Sequence, residues 1–380
     1  MSMFKRGLGA LAVAGLTVAF FVEYRAQTRL AAENLSLRQQ LAQLQAGYAS
    51  LSQREPPAKF LLRRPAPSVR VSVQTNLPPA EDLPATNLYA RFNHDQPRLS
   101  PAQVEAYLKA NGRRPATLLA AYRTSGDPAL LKEALDKYPK DPQVAFEAAF
   151  AVNLSPEQRR QALSAFEQAA PDNALSHYLS AFDDFKSGQT DRAIEEVTAA
   201  YGKRLDDFTA DRIMDDKEAY LSAGYSVPEA ERIASSWLLL PQLSELKQLG
   251  QNMAALANSY NQSGDPASAQ AALQIALDLG RQYGDVAAQP ALISQLVGIA
   301  IERIALQAMD PNSPLEGGGQ TVQDRLNQLE QQKAALRDLG DRAEPLMQSL
   351  SDQDWSNYTQ RRMLFGEAAA LQWVVNKYRP

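Results

Sequence analysis

The chain has 380 residues, no cysteine, two histidines and a formal net charge of −4, with both signs interspersed. The lack of cysteine excludes disulfides, thiolate metal sites and an acylated lipoprotein N-terminus, and it suits an oxidising compartment. His94 and His177 leave little for imidazole chemistry, and the balanced charge carries no nucleic-acid footprint.

Lys5 and Arg6 precede an uncharged apolar run, residues 7–22. At about 1.5 Å per residue this run spans roughly 24 Å, against a hydrocarbon core of about 30 Å. Phe4, Phe20, Phe21 and Tyr24 suit the two membrane interfaces. An uncleaved anchor, a cleaved signal and a buried helix all fit the apolar core. The following Val22-Glu23-Tyr24-Arg25-Ala26-Gln27 lacks the small-residue pattern of a cleavage site. Residues 1–24 are therefore read as a transmembrane signal anchor. Lys5 and Arg6 put its N-terminus inside and the rest of the chain on the far side, while Arg25, Arg29 and Arg38 blunt that asymmetry.

Residues 25–53 read as a short coiled coil. Leu30, Asn34, Leu37, Leu41, Leu44, Tyr48 and Leu51 recur at alternating spacings of 4 and 3. Leucine fills every d position, and Asn34 at an a position is a device for fixing register in a parallel dimer. This predicts a homodimer; the competing reading is an amphipathic helix packed on its own domain. Residues 54–99 form a Pro-rich linker, too dense in proline for regular helix. Lys59, Arg63, Arg64 and Arg70 make it basic, as a solvated tether or as a contact for anionic headgroups or an acidic partner.

Helical periodicity begins at Ser100-Pro101, an N-cap followed by proline at the first helical position. It continues through residues 100–285 as helical repeats. Turns at Pro139 and Pro171 lie 32 residues apart, and those near Gly126, Ser155 and Gly188 lie 29 and 33 apart. Such helix–turn–helix periods are the signature of an α-solenoid. Residues 286–380 continue as a C-terminal helical region, with helices expected at 286–309, 321–339, 342–349 and 354–377.

One unit resembles the tetratricopeptide repeat. Leu256, Ala257 and Tyr260 fall on a first helix, Gly264 on the turn, and Ala269, Leu273 and Ala276 on a second. Gly188, Ala193, Val197 and Ala200 repeat the second half at the same spacing. The resemblance implies an all-α, right-handed α-solenoid that binds a protein or peptide on its concave face. It does not extend to residues 203–241.

No catalytic motif is present: there is no phosphate-cradling glycine loop, zincin helix or nucleophile elbow. No cofactor or metal is expected. The strongest charge feature is Asp206, Asp207, Asp211, Asp215, Asp216 and Glu218. Asp207, Asp211 and Asp215, four apart, are expected to share one helical face, as a solvated face or as a ladder for a basic peptide or a divalent cation. His177 is either a packing residue or a member of the concave partner-binding face. Trp237, Trp355 and Trp373 read as core. The expected function is a membrane-anchored interaction scaffold or assembly factor of bacterial type. The alternatives are an envelope-associated enzyme or enzyme subunit with a carboxylate-lined groove, and a purely structural spacer.

Overall fold

The computed structural model describes residues 97–236, 238–286, 289, 291–315 and 319–378. The apolar run at 7–22, the heptad seam from Leu30 to Leu51 and the linker up to residue 96 lie outside these residues. Among the described residues, no helix is long and apolar enough to cross a membrane.

The described residues are all-helical, and apart from helices they hold only two isolated bridges. In chain order the helices are α1 (Pro101–Asn111), α2 (Pro115–Ser125), α3 (Pro128–Lys137), α4 (Pro142–Ala149) and α5 (Pro156–Ala169). Next come α6 (Ala174–Lys186), α7 (Thr190–Ala200), α8 (Thr209–Ser222), α9 (Val227–Ser236) and α10 (Gln242–Gln262). The last are α11 (Pro266–Gly284), α12 (Leu292–Gln307), α13 (Val322–Met347), α14 (Asp352–Phe365) and α15 (Glu367–Lys377).

Local chemistry explains most of the helix starts. Proline opens α1 to α5 and α11, where its missing N–H costs nothing. Ser100, Asp127, Asp141, Ser155 and Asp265 stand before five of these and accept hydrogen bonds from first-turn N–H groups. Two C-terminal boundaries differ from expectation. Helix α13 runs unbroken through the expected gap at 340–341 and carries Pro345 only in its last turn. The expected helix 354–377 is divided by Gly366, whose φ of 84° no helical residue adopts.

Successive helices pack in pairs: α2 on α3, α4 on α5, α6 on α7, α10 on α11 and α11 on α12. Small residues set the spacing. Ala193, Ala257, Ala269, Ala272 and Ala276 are wholly buried, with Leu256, Tyr260 and Leu273 filling the gaps between them. The closest crossing is between α11 and α12. A side-chain carbon added at Gly298 would lie 2.4 Å from the Gly284 nitrogen.

The path is not strictly linear. Helix α6 packs on α10, skipping α8 and α9. Helix α8 lies instead on α2 and α1, while α9 touches α14. Tyr220 and Ile233 accordingly join Leu118, Leu119 and Leu131 in one core cluster. Each unit of an open solenoid touches only its neighbours. The stretch that departs from this rule is the one that lacks the repeat pattern. A further tie is Glu367, whose buried carboxylate accepts from the Leu292 N–H at 2.7 Å and from the Tyr358 hydroxyl at 3.2 Å. It caps α12 from α15, where a negative charge is favoured.

Candidate functional site

The strap from Lys203 to Phe208, between α7 and α8, is held by polar contacts to four helices. The Asn173 amide donates to the Asp206 carbonyl at 2.8 Å and accepts from its N–H at 3.1 Å. Asp207 is 1% exposed. Its carboxylate accepts from the Tyr283 hydroxyl at 2.8 Å, the Gln242 amide at 2.7 Å and the Thr209 N–H at 3.1 Å. Burial, and then the charge of Asp207, raise the Tyr283 hydroxyl well above the usual tyrosine range. Phe208 closes the strap in the left-handed region, at φ 57°. Its ring packs edge-on against Phe146 and tilted against Phe166, which holds this uncommon backbone in place.

This geometry corrects the expected carboxylate ladder. Helix α8 begins at Thr209, after the turn at Phe208, so Asp207 is not on its surface. Asp207 faces the interior, whereas Asp211 is exposed and Asp215 half-buried.

Helix α8 has two charged faces. Asp211, Asp215 and Glu218 face outward, and Arg212 and Asp216, one residue along, face inward. The inner pair joins a buried ionic network under the outer face. Arg123 on α2 donates through Nε to Asp216 at 2.8 Å and through Nη1 to Glu147 on α4 at 3.0 Å. Arg212 donates to the same Glu147 oxygen at 3.1 Å, and its guanidinium stacks over the Phe146 ring. None of these four side chains is more than 10% exposed. Burial pushes the Asp216 carboxyl up to about 6 despite Arg123. Burial also opposes ionisation of Glu147, but Arg212 and Arg123 together outweigh it and hold that carboxyl below the usual range.

The same three helices, α2, α4 and α8, wall an open groove of about 500 Å³. Its walls carry the carboxylates of Asp141, Asp206, Asp211, Asp215 and Glu218 against one guanidinium, Arg114; Pro115, Pro142 and Phe208 supply apolar surface. Asp141 is occupied in capping α4, and Asp211 accepts from the Gln143 amide at 3.2 Å. Burial raises the Asp215 carboxyl; Arg123 opposes the shift, and the charges of Asp211 and Glu218 add to it. An excess of carboxylates in a concave, partly apolar site attracts cationic groups. Two expected residues, Asp211 and Asp215, thus lie in the groove, and Asp207 does not.

His177 lies elsewhere and is 3% exposed. Its Nδ1 is 2.8 Å from Glu196 and its Nε2 is 2.6 Å from the Lys203 ammonium. The carboxylate can only accept, so Nδ1 carries the proton and Nε2 accepts from Lys203. Glu167, His177 and Glu196 bring ligand-type atoms within 4.8 Å of one another. The ammonium of Lys203 already occupies the Nε2 side of that cluster, where a metal ion would have to bind. His177 is therefore walled off from any partner surface by its own neighbours. Trp373 has Arg361 and Lys377 over its ring, and Trp355 packs edge-on against Tyr358.

The residues missed at the sequence level are Arg123, Glu147 and Gln242, scattered single polar residues on three helices. The one available signal was the 212/216 spacing, which puts a second charged face on α8. Comparison of the chain with protein-family models, with curated proteins and with solved structures finds no match.

Proposed function

We propose that the chain is a membrane-anchored interaction scaffold or assembly factor. Its helical domain, built of tetratricopeptide-like units, takes a Lys/Arg-rich segment of a protein partner into the groove between α2, α4 and α8. The observation that carries this reading is the groove itself, lined by five carboxylates and one guanidinium with Pro115, Pro142 and Phe208 beside them. The buried network ties the same three helices together, which would pre-organise the site for binding. The apolar run at 7–22 would hold the protein in the membrane, and the heptad seam would pair two copies.

A photoreactive residue placed at Glu218 is expected to crosslink a basic peptide of the partner in cells. Asp211→Lys with Asp215→Lys should weaken that binding about tenfold or more and flatten its salt dependence, with the helical content unchanged. Equal crosslinking in the charge-reversed protein would end this reading. A second reading, an envelope-associated enzyme, is favoured by the Asp215 carboxyl, raised by burial and set beside Asp211 and Glu218 in the groove, a common arrangement for a general acid. It requires turnover that a single Asp215→Asn change abolishes without altering the fold.

The placement of the helical domain outside the cytoplasm is tested by C-terminal fusions. An alkaline phosphatase reporter, active only outside, is expected to be active, and a fluorescent reporter that matures only inside is expected to stay dark. The reverse pattern would place the groove in the cytoplasm.

A further inference from the structure

The start of the strap is tied to α6 through an imidazole. His177 is buried, and three charged groups face its ring. Glu196 on α7 lies 2.8 Å from Nδ1, Glu167 on α5 lies 3.8 Å from Nε2, and the Lys203 ammonium of the strap lies 2.6 Å from Nε2. Helix α10 also packs on α6 but places no carboxylate within ion-pair distance of the ring. We propose that His177 is a proton-operated latch on the strap. Neutral, it holds Lys203 through Nε2; protonated, it releases Lys203 and gives its Nε2–H to Glu167. The inference does not depend on what the groove binds.

The geometry allows only one protonation state for the closed latch. An ammonium can only donate, so its bond to Nε2 exists only while that nitrogen keeps a free lone pair. A proton on Nε2 removes the acceptor and sets two cations 2.6 Å apart. The acceptor for the new N–H already stands nearby. Glu167 is about 1 Å beyond hydrogen-bond distance of Nε2, and its partly exposed side chain has room to close that gap.

Charge pulls the other way. Around the neutral ring stand two carboxylates and one ammonium, which leaves an excess of one negative charge beside a buried imidazole. A proton on the ring cancels that excess, so the two carboxylates favour the charged form and the Lys203 bond favours the neutral one. Imidazole is the side chain that ordinarily changes charge between pH 5 and 8, where such an opposition becomes a switch.

The latch acts at the hinge end of the strap. The neighbouring ties run through amides and carbonyls, which do not titrate. The Ala174 N–H donates to the Arg204 carbonyl at 2.7 Å, the Asn173 amide to the Asp206 carbonyl at 2.8 Å, and the Gln282 amide to the Lys203 carbonyl at 3.4 Å. Releasing the Lys203 ammonium removes one charge-assisted bond from this set, which should raise the local opening of the strap about tenfold.

The chain has only two histidines, so the test is clean. The full-length protein is labelled with heavy nitrogen in histidine alone, and His94→Gln leaves the signal of His177. At pH 7.5 the imidazole spectrum is expected to show a proton on Nδ1 and a bare Nε2; at pH 5 both nitrogens should carry protons. Hydrogen exchange in the peptide covering the strap, corrected for the intrinsic effect of pH, should lose protection about tenfold over the same range. His177→Gln, which takes up no proton, should abolish this response to acid. Lys203→Met should abolish it too, with protection as low at pH 7.5 as at pH 5. A protonated Nε2 at pH 7.5 overturns the proposal, and so does a neutral ring at pH 5. An acid response that persists in both variants also overturns it and assigns the change to another group, such as Asp216. If His177→Gln does not fold, Lys203→Met decides alone: protection equal to the parent's at pH 7.5 would mean that Lys203 does not hold the strap.

Discussion

Gly298→Ala is expected to destabilise the helical domain by about 3 kcal/mol, although alanine is the better helix former by up to about 1 kcal/mol. The added carbon would meet the Gly284 nitrogen at 2.4 Å, the Gly284 Cα at 2.5 Å and the Gly280 carbonyl at 2.6 Å. All three are backbone atoms, so no rotamer change relieves the clash and α11 and α12 must separate. Separation would strain a second tie between these helices. The Glu302 carboxylate on α12 is 3% exposed and holds Arg325 on α13 through two bonds of 2.8 Å, with Arg281 on α11 at 3.4 Å. Gly250→Ala serves as the control. Its nearest atom is a side-chain methyl of Ile301 at 3.0 Å, which can shift. Gly250→Ala should stay within about 1 kcal/mol of the parent. Thermal melts followed by far-UV circular dichroism should put Gly298→Ala roughly 6–12 °C lower. Equal melting temperatures for the two variants would mean that the α11–α12 crossing has room for a methyl group.

The outline of the helical domain was legible because its determinants are local. Ser-Pro and Asp-Pro steps start helices by capping and by fixing φ, and buried alanines at helical spacing mark faces that pack closely. What stayed hidden depends on contacts between distant residues. Four-residue spacing puts Asp207 on a helix face only if the helix is continuous. Phe208 at φ 57° breaks it, and aromatic packing rather than sequence preference sets that angle. Arg212 and Asp216 looked like members of one solvated charge run. Their burial follows from α8 folding back on α2, which no spacing within α8 specifies. The sequence around His177 allows either a packing or a partner-facing role, because its partners lie 19 and 26 residues further along. Gly298 gave no signal either, since a glycine inside a helix reads first as a weakness.

Arg123→Met is expected to cost about 3–5 kcal/mol at pH 7.5, because it leaves a buried carboxylate without its cation. Glu147 retains Arg212 at 3.1 Å, so Asp216 bears most of the damage. The loss should depend on pH. In the parent, the Asp216 carboxyl titrates at about 6 in the folded state against 3.8 in the reference state, so folding takes up a proton between these values. The stability that this group contributes is complete below pH 3.8 and declines as pH rises through 6. Glu147 has the opposite sign: its carboxyl is held low, so its contribution is present above 4.5 and lost as pH falls. Without Arg123, Asp216 should bind its proton more tightly still, so the penalty of Arg123→Met shrinks at pH 5, where the carboxyl is neutral. Arg123→Met combined with Asp216→Leu replaces the pair by apolar groups of similar shape and should recover most of the loss at pH 7.5. Urea titrations at the two pH values decide the matter. A penalty that does not change with pH, or a double variant as unstable as the single, would mean that Arg123 acts by packing rather than by neutralising Asp216. The two results differ for the groove as well. The network ties together α2, α4 and α8, the helices that wall the groove, so a charge-neutralising Arg123 would couple the packing of those walls to the protonation of Asp216.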